Sequence, residues 1–148
     1  MADESRKLKA VVAGWKWGNN HMRAFAESDV CDLKALWSRT ENPDALRVAS
    51  LYHVPLYTDF DQMLEDVKPN VASIAVPEAG HEALTISALE SGCDVYCEKV
   101  LADTREAGQR MVDCAAKVGR VLNVGYNYRY SPSCIYMVEA IQAGKIGR

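Results

Sequence analysis

The sequence predicts an α/β fold: a doubly wound parallel sheet with helices on both faces. Three observations carry that prediction. Short runs of β-branched and small apolar residues alternate with stretches of three- and four-residue apolar spacing along almost the whole chain, the grammar of right-handed βαβ crossovers and a covered parallel sheet. Pro43, Pro77, Gly92, Gly119 and Pro132 fall at the ends of these stretches. The chain has 148 residues, 49% hydrophobic and 25% charged, the mix of one ordinary globular domain. A chain of that size is expected to bury roughly 70% of its unfolded surface.

Each element has its own reason. Residues 8–13 (LKAVVA) are short and apolar before Gly14, and read as a buried strand. His21, Met22, Phe25 and Ala26 recur at helical spacing, which predicts a helix over 18–27. Residues 32–37 (DLKALW) form a second strand, and Pro43 opens a helix to 52 that exposes Arg47 and buries Leu46 and Leu51. A short strand at 55–57 precedes a helix over 59–66 with Thr58 as its N-cap. Residues 70–76 (NVASIAV) are a strand stopped by Pro77, and 79–91 a helix stopped by Gly92, which can take the left-handed conformation. Residues 93–97 form a strand, 103–118 a helix ended by Gly119, and 121–124 a last strand. Ser131 and Pro132 open a final helix, over about 131–144. Two halves of three strands each make the layout known as Rossmann-like.

Composition excludes several classes. The net charge of −3 argues against a nucleic-acid partner or an anionic membrane surface. No apolar run approaches the roughly 20 residues that span a bilayer, and the first residues, Met-Ala-Asp-Glu-Ser-Arg-Lys, lack the apolar core of a secretory leader. Five cysteines (Cys31, Cys93, Cys97, Cys114, Cys134) are an odd set that reads as buried free thiols in a reducing compartment, so a cytoplasmic location is expected. His21 and His53 have no partners at ligand spacing, and no metal is assigned. Neither a Gly-x-Ser-x-Gly elbow nor an NTPase phosphate loop is present.

In doubly wound sheets, ligands bind outside the carboxyl ends of the strands, where strand order reverses. That directs attention to residues 14–18, 38–40, 77–81, 98–102 and 125–129. These loops carry a resemblance. The run Val95-Tyr-Cys-Glu-Lys-Val-Leu-Ala102 resembles the Glu-Lys-Pro signature of the Gfo/Idh/MocA oxidoreductases. Val76-Pro77-Glu78-Ala79-Gly80-His81 resembles that family's Thr-Pro-Asn-x-x-His loop. Val124 to Pro132 resembles its Gly-[Phe/Tyr]-Asn-x-Arg-[Phe/Tyr] segment, and Ile141 to Gly147 its exit towards a second domain. The match covers nearly the whole chain, and its motifs are specific in combination.

The resemblance implies hydride transfer between a nicotinamide dinucleotide and a sugar, polyol or related carbonyl or imine compound. The first loop, Ala13-Gly14-Trp15-Lys16-Trp17-Gly18, departs from the usual fingerprint. Aligned without a gap, only its third glycine survives, as Gly18, and Trp15 replaces the middle one; aligned with one deletion, Gly14 is the first glycine and the middle one is missing. Its Gly-x-Lys-aromatic-Gly form resembles the loop of thiazolinyl imine reductases, a branch that uses NADPH. One reading is a variant cofactor-binding loop in which Lys16 adds a charge for phosphate; the other is a site blocked by tryptophan.

Ser38, Arg39 and Thr40 stand where an NAD-preferring protein carries an acid, and an arginine there suits a 2′-phosphate, so NADP(H) is favoured over NAD(H). Val76, Pro77, Glu78 and His81 are expected along the cofactor; Glu78 replaces an amide, and His81 reads as a packed, hydrogen-bonded histidine at the start of a helix. The resemblance puts Glu98 and Lys99 near the nicotinamide, with Lys99 the catalytic residue that orients or polarises the reacting carbonyl. Val100 replaces the proline that follows it. Asn127 matches a cofactor position, and Arg129, with Lys99, a substrate position. Alternating Tyr126, Tyr128 and Tyr130 predict one core-facing side, and Trp37 reads as packing.

The resemblance also implies a second α/β domain that closes the substrate site, supplies a general acid/base histidine and often mediates homo-oligomerisation. Residues 1–148 are thus expected to be a dinucleotide-binding domain, catalytically incomplete alone. The alternative is a non-catalytic binding or interaction domain with a degenerate cofactor site.

Overall fold

Ala10, Val11, Val12 and Ala13 are all buried, so the first strand must be covered on both faces, and the chain is built around it. The computed structural model describes residues 7–147; residues 1–6, where the sequence predicts no leader core, and Arg148 lie outside the described residues. The strands are β1 (Leu8–Ala13), β2 (Cys31–Trp37), β3 (Leu56–Tyr57), β4 (Val71–Ile74), β5 (Asp94–Cys97) and β6 (Leu122–Val124). They form one sheet in the order β3-β2-β1-β4-β5-β6, parallel at every pairing. The helices are α1 (Gly18–Ala26), α2 (Pro43–Leu51), α3 (Phe60–Val67), α4 (His81–Glu90), α5 (Arg105–Val118) and α6 (Pro132–Gln142). This is the Rossmann-like α/β fold, with strand order reversing between β1 and β4.

Side chains alternate along each strand, and the core splits accordingly. Val11, Ala13, Ala35, Trp37, Ala72 and Ile74 pack with Phe60, Met63, Leu64, Leu89 and Met111 from α3, α4 and α5. Val12 and Leu36 face the other way, onto Met22, Val48 and Ala49 from α1 and α2. Trp37 packs as expected: its ring meets Phe60 edge-on at 5.7 Å and its indole N–H donates to the Thr58 carbonyl at 3.1 Å.

Three expectations fail for local reasons. Leu46 and Leu51 are 44% and 64% exposed, because α2 turns Ala45, Val48 and Ala49 to the sheet instead. Small residues let the helix approach closely, and the two leucines fall outside that stripe. The α3 N-cap is Asp59, whose carboxylate accepts from the Gln62 amide at 3.0 Å, rather than Thr58. Tyr126, Tyr128 and Tyr130 are all exposed, because the chain leaves the sheet at Val124 and runs through a 3-10 turn, Asn127–Tyr130, in which strand alternation has no meaning. Gly92 and Gly119 do take the left-handed conformation, at φ +90° and +66°.

The thiols also divide. Cys93 and Cys97 are buried, which pushes both up to about 11, while Cys31, Cys114 and Cys134 are only half-buried. Among the described residues no helix is long and apolar enough to cross a membrane. Since the thiolate is the nucleophile, alkylation of the folded protein at mildly alkaline pH should spare Cys93 and Cys97 and modify only the other three. Mass spectrometry of the peptides checks this, and early labelling of Cys97 would contradict the packing.

Candidate functional site

Register brings the five loops level. Ala13 pairs with both Trp37 and Ile74, Ile74 with Cys97, and Cys97 with Val124. The ladder runs one residue further: the amides of Gly14, Ala75, Glu98 and Gly125 donate to Trp37, Ala13, Ile74 and Cys97, at 2.8 to 2.9 Å. Residues 14, 38, 75, 98 and 125 therefore stand in one row along the carboxyl edge of the sheet.

Gly14 makes the turn from β1 into α1. Its φ is +101°, and a Cβ there would sit 2.3 Å from the Ala75 carbonyl oxygen. Gly18 opens α1, where a Cβ would meet Val12 Cγ1 at 3.0 Å. These are the tight-turn and helix-packing duties of the first and third fingerprint glycines, so the alignment with one deletion describes the loop. α1 has no side-chain cap at its start.

Beside this turn, at the strand-order reversal, lies a cavity of about 370 Å³. Gly14, Trp15 and Lys16 line it from β1, Ser38, Arg39 and Thr40 from β2, and Val76, Pro77 and Gly80 from β4. Trp15 does not fill it: its ring also packs on the α1–α2 side of the core, and the Lys16 ammonium lies 5.4 Å from the ring centroid. Arg39 lies across the cavity, its guanidinium 3.9 Å from where a Gly80 Cβ would be. Glu78 is exposed in a 3-10 turn, Glu78–Gly80, outside this lining.

His81 is wholly buried, its ring held between the Val76 carbonyl, 2.9 Å from Nε2, and the Val100 carbonyl, 2.9 Å from Nδ1. It braces the loops after β4 and β5, so any contribution to a ligand passes through those loops. Lys99 is exposed and joined to Val100 by a cis peptide bond. Asn127 and Arg129 are exposed in the turn after β6, where Asn127 Oδ1 accepts from the Tyr96 hydroxyl at 3.2 Å.

Glu98 departs most from expectation. Its carboxylate is buried and turned towards α1: Oε1 accepts from the Trp17 indole N–H at 3.0 Å and lies 3.1 Å from His21 Nε2. Oε2 accepts from the Lys99 amide at 3.1 Å. His21 Nδ1 lies 2.6 Å from Ser73 Oγ, and the ring meets Tyr96 edge-on. Burial lowers the His21 pKa from its usual 6.5, outweighing the pull of Glu98 in the other direction. The loop residues thus separate into a cavity group (14–16, 38–40, 76–77) and a Glu98 group. Sequence reasoning missed the role of His21; the only signal was that Trp17 and His21 are four residues apart and so share a helix side.

Comparison with known proteins agrees with this architecture. The Gfo/Idh/MocA model, described as an oxidoreductase family with an NAD-binding Rossmann fold, matches residues 8–126. The chain belongs to that family. It is 36% identical over 149 residues to D-glucoside 3-dehydrogenase of Escherichia coli, covering 99% of this chain and 42% of the relative. It is 32% identical over 148 residues to inositol 2-dehydrogenase 2 of Saccharopolyspora erythraea, covering 99% of this chain and 39% of the relative. The structure of scyllo-inositol dehydrogenase from Lactobacillus casei with NAD(H) and scyllo-inositol matches with TM-score 0.83 at 24% identity, over 96% of this chain and 43% of that one, a likeness of fold. This Gfo/Idh/MocA chain spans less than half the length of the curated relatives it matches.

Two outcomes follow from the site. Gly14→Ala meets both a left-handed φ and a backbone clash, and should destabilise the fold by about 3 kcal/mol or more in denaturant unfolding; a loss of a few tenths would show that the turn yields. His21 takes its proton more readily in the unfolded chain, so the stability tied to it is whole above pH 6.5 and declines as pH falls below that value towards the lower folded-state pKa. His21→Phe should flatten that part of the stability curve, and an unchanged slope would assign it to another group.

Proposed function

We propose that this chain is the dinucleotide-binding part of an oxidoreductase that moves hydride between NADP(H) and a sugar, polyol or related carbonyl or imine compound, working with a second domain. The cavity at the strand-order reversal supports this reading above all. Gly14, packed against the Ala75 carbonyl, lines the cavity with bare backbone where a diphosphate can approach; α1 begins at Gly18 with no side-chain cap, its Asn19 and Asn20 amides engaged by the Lys16 and Trp17 carbonyls. Trp15 and Lys16 flank that approach, and Arg39 with Ser38 and Thr40 offers charge and hydroxyls for a 2′-phosphate. No carboxylate pairs with Arg39 among the described salt bridges.

A nicotinamide bound at this edge supplies or accepts the hydride. Lys99, exposed at the same edge, holds the carbonyl oxygen and stabilises the charge that develops on it. Asn127 and Arg129 border the substrate side. The relatives' names, a glucoside dehydrogenase and an inositol dehydrogenase, favour a polyhydroxylated substrate. A second domain also suits α6, where Ile135, Tyr136, Met137, Val138 and Ile141 are exposed and only Ala140 is buried. A cytoplasmic location fits the free thiols.

Tryptophan fluorescence titrated with NADPH and NADH tests the proposal, since Trp15 and Trp17 flank the turn. Saturable quenching at micromolar NADPH is expected. Arg39→Ala should weaken NADPH by about tenfold or more and leave NADH nearly unchanged; equal losses would remove the 2′-phosphate assignment. A flat response to both nucleotides at millimolar concentration would favour a non-catalytic binding domain with a degenerate site.

A further inference from the structure

The Glu98 cluster joins two segments that the cavity treats separately. Glu98 is 6% exposed, and its two oxygens are met by three donor groups, from Trp17 and His21 on one side and the Lys99 amide on the other. A carboxylate only accepts, so the proton of His21 sits on Nε2. Nδ1 is then free to accept, and the Ser73 hydroxyl donates to it across 2.6 Å. That assignment satisfies every polar atom in the series with a neutral imidazole, as its lowered pKa requires. Ser73, His21 and Glu98 are not read as hydrolytic, because Ser73, though it borders the hollow beside α1, is wholly buried within β4.

Trp17 is the telling member. The residue is 56% exposed, yet its indole N–H is committed to a buried carboxylate. It immediately precedes Gly18, so it belongs to the turn that carries Trp15 and Lys16 along the cavity. Gly125 leaves the space the cluster needs: a Cβ there would lie 2.9 Å from the Tyr96 hydroxyl and 3.2 Å from Glu98 Oε1.

We propose that Trp17, His21 and Glu98 form a clamp that couples the β1–α1 turn to Lys99, so that a ligand settling on the turn repositions the lysine. Trp17 and His21 are positioning residues that act through Glu98 and touch no reacting atom. The identity of the ligand rests on the dinucleotide reading above; the clamp does not.

NMR spectroscopy of the whole chain tests it in two arms. Without ligand, His21 should show the Nε2–H tautomer near neutral pH, and the Trp17 indole proton should exchange about tenfold or more slowly than a free indole although the residue is exposed. Trp17→Phe should also move the Lys99 amide resonance. With NADPH added, the Lys99 amide should shift together with residues 15–17. In Trp17→Phe, residues 15 and 16 should still shift while the Lys99 response falls by about fivefold.

Should Trp17→Phe not fold, His21→Gln, which keeps a donor for Glu98, should preserve the Lys99 response, and His21→Leu should reduce it. Free-indole exchange, an Nδ1–H tautomer, or an undiminished Lys99 response in the uncoupled variant overturns the clamp. Absence of any shift in the wild-type chain with NADPH or NADH overturns the dinucleotide reading instead, and the ligand-free arm still decides the clamp.

Discussion

The β1–α1 turn rests on the carbonyl of Ala75 with no space for a methyl group, and that constraint organises everything around it. Gly14 is held at φ +101° against the exit of β4, so α1 must begin at Gly18, close enough to β1 that Val12 would touch a Cβ there. The three residues between send their side chains in two directions. Trp15 and Lys16 face the cavity, and Trp17 crosses to Glu98 beyond β4. A turn with a glycine in the middle places fewer side chains and leaves more room. Here the room is exchanged for two aromatic contacts, one on the α1–α2 core and one on a buried carboxylate.

The parallel pairing and the row of loops at the carboxyl edge were readable from the sequence because buried β-branched runs alternating with helical segments require right-handed crossovers, a pattern nearly independent of particular neighbours. Thus Val11, Val12, Ala72 and Ile74 are where their pattern puts them. What failed depended on contacts between elements. Leu46 and Leu51 have the apolarity of core residues, but Ala45 and Ala49 allow a closer helix–sheet approach and take the inward face. Asp59 and Thr58 are both competent caps, and Thr58 is engaged through its carbonyl by Trp37. Glu98 stood in a known motif, yet its direction was set by His21 and Trp17, which are 77 and 81 residues away in sequence. No local pattern encodes a partner at that separation.

Charge placement at the cavity is unusual and consistent. Lys16 stands over the face of Trp15, where the ring quadrupole favours a cation, and Arg39 spans the opposite wall towards Gly80. Glu78, which would oppose an anion if it pointed inward, is carried outward by the 3-10 turn after Pro77. The cavity is therefore flanked by two cations, Lys16 from the turn and Arg39 from the loop after β2. The Glu98 carboxylate, the nearest buried negative charge described, is screened by its own donors. The two groups of loop residues have opposite electrostatic character while sharing one edge of the sheet.

The two faces of the sheet are covered unequally. α3, α4 and α5 pack one face, and α1 and α2 pack the other over β1 and β2. On the α1 side of β5, Tyr96 borders a second cavity of about 260 Å³ with His21, Ala24 and Phe25. α6, apolar on several sides, packs mainly on the turn before it and buries only Ala140. A helix of that composition belongs in an interior, and the matched relatives have more than twice the length of the segment they share with this chain. In the proposed clamp, events at the β1–α1 turn and at Lys99 act on one carboxylate, and two events that share a group in this way are thermodynamically linked.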